Sequence, residues 1–124
     1  MIKRIINKIK RILRREKVYR SETAKCRDRL GEYCQGNGVD LGAGGDLITA
    51  DSISVDLPKP YRNVGKVKPN LKGDARNLIW FKNGVLDYVY ASHLLEDFKD
   101  TEKVLKEWLR VLKPEGAFGF ILPG

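Results

Sequence analysis

Val39-Asp40-Leu41-Gly42-Ala43-Gly44-Gly45-Asp46 is the stretch on which the fold turns. Apolar residues lead into a carboxylate, and Gly-x-Gly begins two positions after it. This reads as a strand ending in a tight turn, where backbone rather than side chain must approach a ligand. Glycine allows both a positive φ and that close approach. A carboxylate just ahead of the glycines repels a pyrophosphate and attracts an ammonium group. The pairing therefore suits a zwitterionic nucleoside better than a dinucleotide.

The flanking sequence alternates strands with helices. Upstream, Ser21 can cap a helix running to about Cys34, ended by Gly36 or Gly38. Val39–Leu41 is a short buried strand, and Ile53–Leu57 is a second, stopped by Pro58 and Pro60. Residues 58–70, with three prolines, form a loop. Leu71–Asp74 makes a short third strand, a brief helix follows Asp74, and Asn83-Gly84 turns the chain into a fourth strand, Leu86–Ser92. Thr101–Lys113 is the clearest helix, with Val104, Leu105, Trp108, Leu109 and Leu112 on one apolar stripe. That spacing puts Trp108 in the core. Pro114-Glu115-Gly116 stops the helix, and Ala117–Leu122 is a fifth strand. The alternation predicts an α/β, Rossmann-like, mostly parallel sheet of about five strands with helices on both faces.

In such a sheet, ligands bind beyond the carboxyl ends of the strands. Four expected strand ends carry polar or small groups. Asp40 precedes the Gly42/Gly44 turn. Asp56 is placed to accept from both hydroxyls of a ribose. Asp74 could accept from an adenine amine while the Ala75 amide donates to the ring. Ser92-His93 closes the fourth strand.

These motifs resemble those of class I S-adenosylmethionine-dependent methyltransferases, specifically a type 11-like methyltransferase domain, from about Val39 to Pro123. Asp40-Leu41-Gly42-Ala43-Gly44 is similar to the family's first motif and Ile53-Ser54-Val55-Asp56-Leu57 to its acidic second motif. Gly73-Asp74-Ala75-Arg76-Asn77-Leu78 resembles the adenine-contacting segment, and the stretch from Leu86 to Glu96 the strand and turn after it. Leu109-Arg110-Val111-Leu112-Lys113-Pro114-Glu115-Gly116 resembles the approach to the fifth strand. The resemblance implies S-adenosyl-L-methionine as cofactor. Asp40 would lie near the methionine amine, and Gly42, Ala43 and Gly44 would let the backbone pass the ligand. Asp56 would hold the ribose, with Leu57 against the adenine face. Asp74 and Ala75 would read the adenine edge, and Ser92 and His93 would border the methionine end. The implied reaction is in-line transfer of a methyl group to a small-molecule, lipid or glycan acceptor. No catalytic base is assigned. His93, the single histidine, is either a base or a structural turn residue, and Glu96 and Asp97 read as solvated.

The chain departs from the family in three places. Asp46 stands where a third glycine is common, and sixteen residues from Asp40 to Asp56 leave room for about one helical turn between the first two strands. The sequence stops at Gly124, just after the fifth strand of a sheet that usually has seven, so a truncated domain is expected. The apolar fifth strand would then be an edge open to a dimer or partner. Two other readings remain. A non-catalytic cofactor-binding remnant or membrane-associated module fits the missing third. A nicotinamide oxidoreductase would need glycine at position 47, where Leu47 stands.

Charge divides the chain in two. Of 124 residues, the first twenty hold nine Lys or Arg and one Glu, which accounts for the whole net charge of +8. Residues 21–124 are balanced and form the expected methyltransferase domain. In residues 1–20, Ile2, Ile5, Ile6, Ile9, Ile12 and Leu13 recur at helical spacing among Lys and Arg. This basic amphipathic helix either covers the domain or lies on an anionic membrane. With Tyr19 as its one ring, it lacks the aromatic interleaving of a nucleic-acid surface. Cys26 and Cys34 have neither metal spacing nor a disulfide pattern. They read as reduced thiols of a cytoplasmic protein, at the inner face of the membrane if the helix docks there.

Overall fold

The computed structural model describes residues 2–7, 22–42, 45–57 and 68–121. Most of the expected 1–20 helix, the Ser21 cap, Ala43, Gly44, most of the proline-rich loop and Leu122 lie outside them. Residues 2–7 form a helix, α1, followed by α2 (Glu22–Leu30) and a 3-10 turn at Gly31–Tyr33. The strands are β1 (Gly38–Leu41), β2 (Ile53–Asp56), β3 (Leu71–Lys72), β4 (Leu86–Ser92) and β5 (Leu112–Ile121), with α3 (Thr101–Val111) between the last two. They form one sheet in the order β3-β2-β1-β4-β5, with every pairing parallel. All five carboxyl ends therefore face one edge, and the order reverses beside β1.

Alternation along the strands builds two cores. Val39, Leu41, Val89 and Ala91 pack on Val104, Trp108 and Val111 of α3. Tyr88 and Tyr90 point the other way, to Cys26 and Leu30 of α2. The helices thus cover opposite faces. Asp40, between Val39 and Leu41, points to the α2 side, where apolar burial is replaced by hydroxyls. Tyr90 bonds Thr23 at 3.0 Å, and Tyr88 bonds Ser52 at 2.6 Å. Cys34 is buried there as a free thiol, pushed up to about 11 by that burial.

Several boundaries differ from those the sequence suggests. The α3 helix starts where the Asp100 carboxylate accepts from the Lys103 amide, and its Val104–Trp108–Val111 stripe is buried while Leu109 is exposed. It stops at Val111 because the carbonyls of Arg110 and Val111 accept from Gly84 and Val85, the lead into β4. The chain then enters β5 directly, and Pro114-Glu115-Gly116 belongs to that strand. The register jumps from Leu86↔Leu112 to Tyr88↔Ala117, so the proline sits in an irregular stretch that needs no ladder donor from it.

The brief helix expected after Asp74 is a series of turns. Turn bonds from the Asn77 amide to the Asp74 carbonyl and from the Phe81 amide to the Leu78 carbonyl satisfy part of its backbone, and α3 supplies further partners. Trp108 Nε1 donates to the Ala75 carbonyl, the Glu107 carboxylate accepts from the Leu78 amide, and Arg110 donates to the carbonyls of Leu78 and Phe81.

Candidate functional site

The parallel topology brings the expected site residues to one edge. Asp40 is one residue from the end of β1, Asp56 ends β2, Ser92 ends β4, and Asp74-Ala75 follow β3. From β3 to β4 is three strand spacings, about 14 Å. That edge can accommodate an extended ligand with a different group at each end.

Asp40 carries the strongest electrostatic anomaly. It has no exposed surface, and Oδ2 accepts from the Ile48 amide at 2.8 Å. Among the described residues, Oδ1 has no hydrogen-bond partner. Burial pushes the carboxyl up to about 7; Asp46 and Asp56 add to this, while the Ile48 amide and Arg27 oppose it. A buried carboxylate with a vacant lone-pair direction favours a cation beside it.

Gly42 continues β1 with φ +67 and donates its amide to the Val55 carbonyl at 2.8 Å. A Cβ there would lie 3.2 Å from Leu94 Cδ2, so the turn is roofed by a side chain from the β4 exit. The positive φ favours glycine, and a Cβ would also press on Leu94. The next connection, 45–52, contains turns and no helix.

Asp56 Oδ1 accepts from the Leu57 amide at 2.8 Å, and its carbonyl accepts from Gly73 at 2.9 Å, joining the β2 and β3 ends. Leu57 is 43% exposed at that edge. Asp74 forms a two-oxygen pair with Arg76, which holds its carboxyl below the usual range. Any adenine amine would share Asp74 with that guanidinium. Ala75 is buried, its carbonyl fixed by Trp108 at 2.8 Å.

Ser92 pairs with Ile121, and His93 follows at φ +50, its amide donating to Ile121 at 2.8 Å. His93 Nδ1 lies 3.6 Å from Glu96, so Glu96 faces the histidine rather than solvent alone. His93 Nε2 is buried, with no partner among the described residues.

Sequence reading did not identify Leu94, Arg27 or the α3 clamp on 75–81 as parts of this edge. The Glu107–Arg110 pair at i,i+3 is visible in the sequence, but its targets Leu78 and Phe81 are 29–32 positions away and only the fold reveals them.

Residues 35–120 match the family described as methyltransferase domain. Three solved structures share the fold. One is a Haloferax volcanii protein assigned as a methyltransferase, in complex with the Trm112 methyltransferase activator; it is 23% identical, with TM-score 0.59 and coverage of 87% of this chain and 54% of that one. A Methanococcus maripaludis protein assigned as an S-adenosyl-L-methionine-dependent methyltransferase is 17% identical, with TM-score 0.56 and coverage of 90% and 61%. An S-adenosylmethionine-dependent methyltransferase from Aquifex aeolicus is 16% identical, with TM-score 0.53 and coverage of 87% and 67%. The chain thus spans about half to two thirds of the structures it resembles. No curated protein matches it.

Proposed function

The chain belongs to the methyltransferase domain family, whose cofactor is S-adenosyl-L-methionine, and from that premise we propose that it binds this cofactor along the carboxyl edge of β3-β2-β1-β4 and transfers its methyl group. The observation that carries the reading is Asp40, fully buried with Oδ1 unpartnered among the described residues. An ammonium group is the ligand chemistry that would compensate that carboxylate. In this reading Asp40 holds the methionine amine, Asp56 the ribose, and Leu57 lies against the adenine. Asp74 and Ala75 read the adenine edge, Gly42, Ala43 and Gly44 pass the cofactor as backbone, and Ser92 and His93 border the methionine end. The cofactor supplies an already activated sulfonium methyl, so residues 21–124 contribute orientation and exclusion of water.

Titration calorimetry with S-adenosylhomocysteine, on the chain and on Asp56→Ala, tests the site. Micromolar binding that the variant loses is the expected result. Equal binding by both proteins would remove Asp56 from it.

For the acceptor, the reading is a lipid or glycan-linked molecule at an anionic membrane surface, with residues 1–20 as the docking element. The net charge of +8 resides there, and Ile2, Ile5 and Ile6 of α1 are exposed rather than packed on the domain. Basic residues around an apolar face fit anionic headgroups. Among the described residues no helix is long and apolar enough to cross a membrane. Sedimentation with phosphatidylserine vesicles, but not with phosphatidylcholine vesicles, and release by salt are expected. Equal recovery with both lipids would refute charge-driven docking.

A further inference from the structure

Arg27 lies on α2, outside every motif of the resemblance, and yet its guanidinium reaches the connection that follows the glycine turn. Nη2 donates to the Leu47 carbonyl at 2.8 Å and to the Asp46 carboxylate at 2.5 Å, and Nε donates to the Ile48 carbonyl at 3.3 Å. The next link is direct: the Ile48 amide is the donor to Asp40 Oδ2 at 2.8 Å, and the Ile48 side chain is fully buried. Three consecutive residues of a helix-free connection are therefore held by one planar fork. A lysine, with its donors at one point, could not span them in the same way.

We infer that Arg27 is a positioning residue of the cofactor site, fixing the Asp46–Ile48 segment so that the Ile48 amide orients the Asp40 carboxylate toward the ligand amine. The inference rests on the reading of Asp40 as the amine-binding group. It adds a residue from α2, on one face of the sheet, that acts on the ligand through Asp40 without touching it. Arg27 also brings a cation near a carboxylate otherwise surrounded by Asp46 of the same connection, Asp56 of β2, and Cys34 and Tyr90, both on the α2 side of the sheet.

The test is S-adenosylhomocysteine affinity between pH 5.5 and 8.5 on the full chain and four variants. Arg27→Gln is expected to weaken binding about tenfold at pH 7, the size of one charge-assisted hydrogen bond. It should also move the pH of half-maximal binding upward, because the cation favouring ionised Asp40 is gone. Arg27→Lys keeps the charge, so the wild-type midpoint with intermediate affinity is expected. Asp46→Asn should move the midpoint downward, since a neighbouring anion is lost. Should Arg27→Gln fail to fold, Arg27→Lys and Asp46→Asn decide, and unchanged affinity in the first with an unchanged midpoint in the second overturns the inference. Loss of affinity by Arg27→Gln with no midpoint shift would reduce Arg27 to a structural role and overturn it too. Wild-type behaviour of Arg27→Gln, with binding lost in Asp40→Ala, overturns the inference and leaves the site standing. Wild-type binding by Asp40→Ala would overturn the site reading itself, and the inference with it.

Discussion

Asp40→Asn should make the protein more stable at alkaline pH while removing its ligand affinity. Asp40 is lifted from the ordinary 3.8 to about 7, chiefly by burial. Between those two values the unfolded chain has released the proton and the folded chain has not. Folding then takes up a proton, so Asp40 makes stability fall as pH rises from about 4 to about 7, by about 1.4 kcal/mol per pH unit. Above pH 7 the charged carboxylate costs the fold about 4 kcal/mol relative to a neutral group. Asparagine removes this cost, and its carbonyl can accept from Ile48 as Oδ2 does. Its amide nitrogen inherits the Oδ1 position, unpartnered among the described residues, a penalty of about 1–3 kcal/mol. The expected net gain at pH 8 is about 1–3 kcal/mol. The firmer quantity is the change in the mutant-minus-wild-type difference between pH 5 and pH 8, because the amide penalty cancels from it. That change should be about 3 kcal/mol, measured by urea denaturation at both pH values. S-adenosylhomocysteine binding by the variant should be lost, since a neutral amide cannot compensate an ammonium group. A difference constant to within about 0.5 kcal/mol over that range would refute the buried-carboxylate argument.

Three other outcomes follow from the geometry. Trp108→Phe keeps a ring against Phe98 and Phe118 but removes the donor to the Ala75 carbonyl, and should cost about 1–3 kcal/mol in thermal or urea unfolding; an unchanged midpoint would mean that carbonyl finds another partner. Gly42→Ala forces φ +67 on a residue with a Cβ 3.2 Å from Leu94, so a loss of about 1–2 kcal/mol and of homocysteine-ligand affinity is expected, and coincident melting curves would contradict it. On the acid side, Glu107 is held below the usual carboxylate range by Arg110, Asp74 by Arg76 and Asp87 by Lys113. For these three the unfolded chain takes up protons first, so the stability they confer is complete above the ordinary carboxylate pKa and is lost as pH falls through their folded values. Glu107→Gln should flatten that loss in urea midpoints taken from pH 6 to pH 3, and an equally steep fall would exclude it.

The sequence alone determined the strand series, the parallel sheet and the cofactor class, because each rests on local chemistry. A buried run ending in Asp40 and Gly42, a second ending in Asp56 and a third ending in Ser92 are short-range patterns, and parallel pairing of alternating elements aligns their ends with little freedom. Local pattern also placed Trp108 in the core. It put Leu109 on the apolar stripe, although Leu109 is exposed, and it could not start β5 at Leu112, since that depends on how Gly84 and Val85 cap α3 from a distant segment. The helix expected after Asp74 failed for the same reason: Glu107, Trp108 and Arg110 bond part of that backbone from another element, and tertiary hydrogen bonds outweigh a weak local propensity. The state of Asp40 belongs to tertiary structure as well. Its place in the chain identifies a carboxylate at a strand end, but only the surrounding fold removes it from water, leaves Oδ1 without a partner among the described residues and brings the Arg27 fork to the segment that bonds it. Desolvation and through-space charge depend on what lies within a few ångströms, and the chain supplies those neighbours from positions far away along its length.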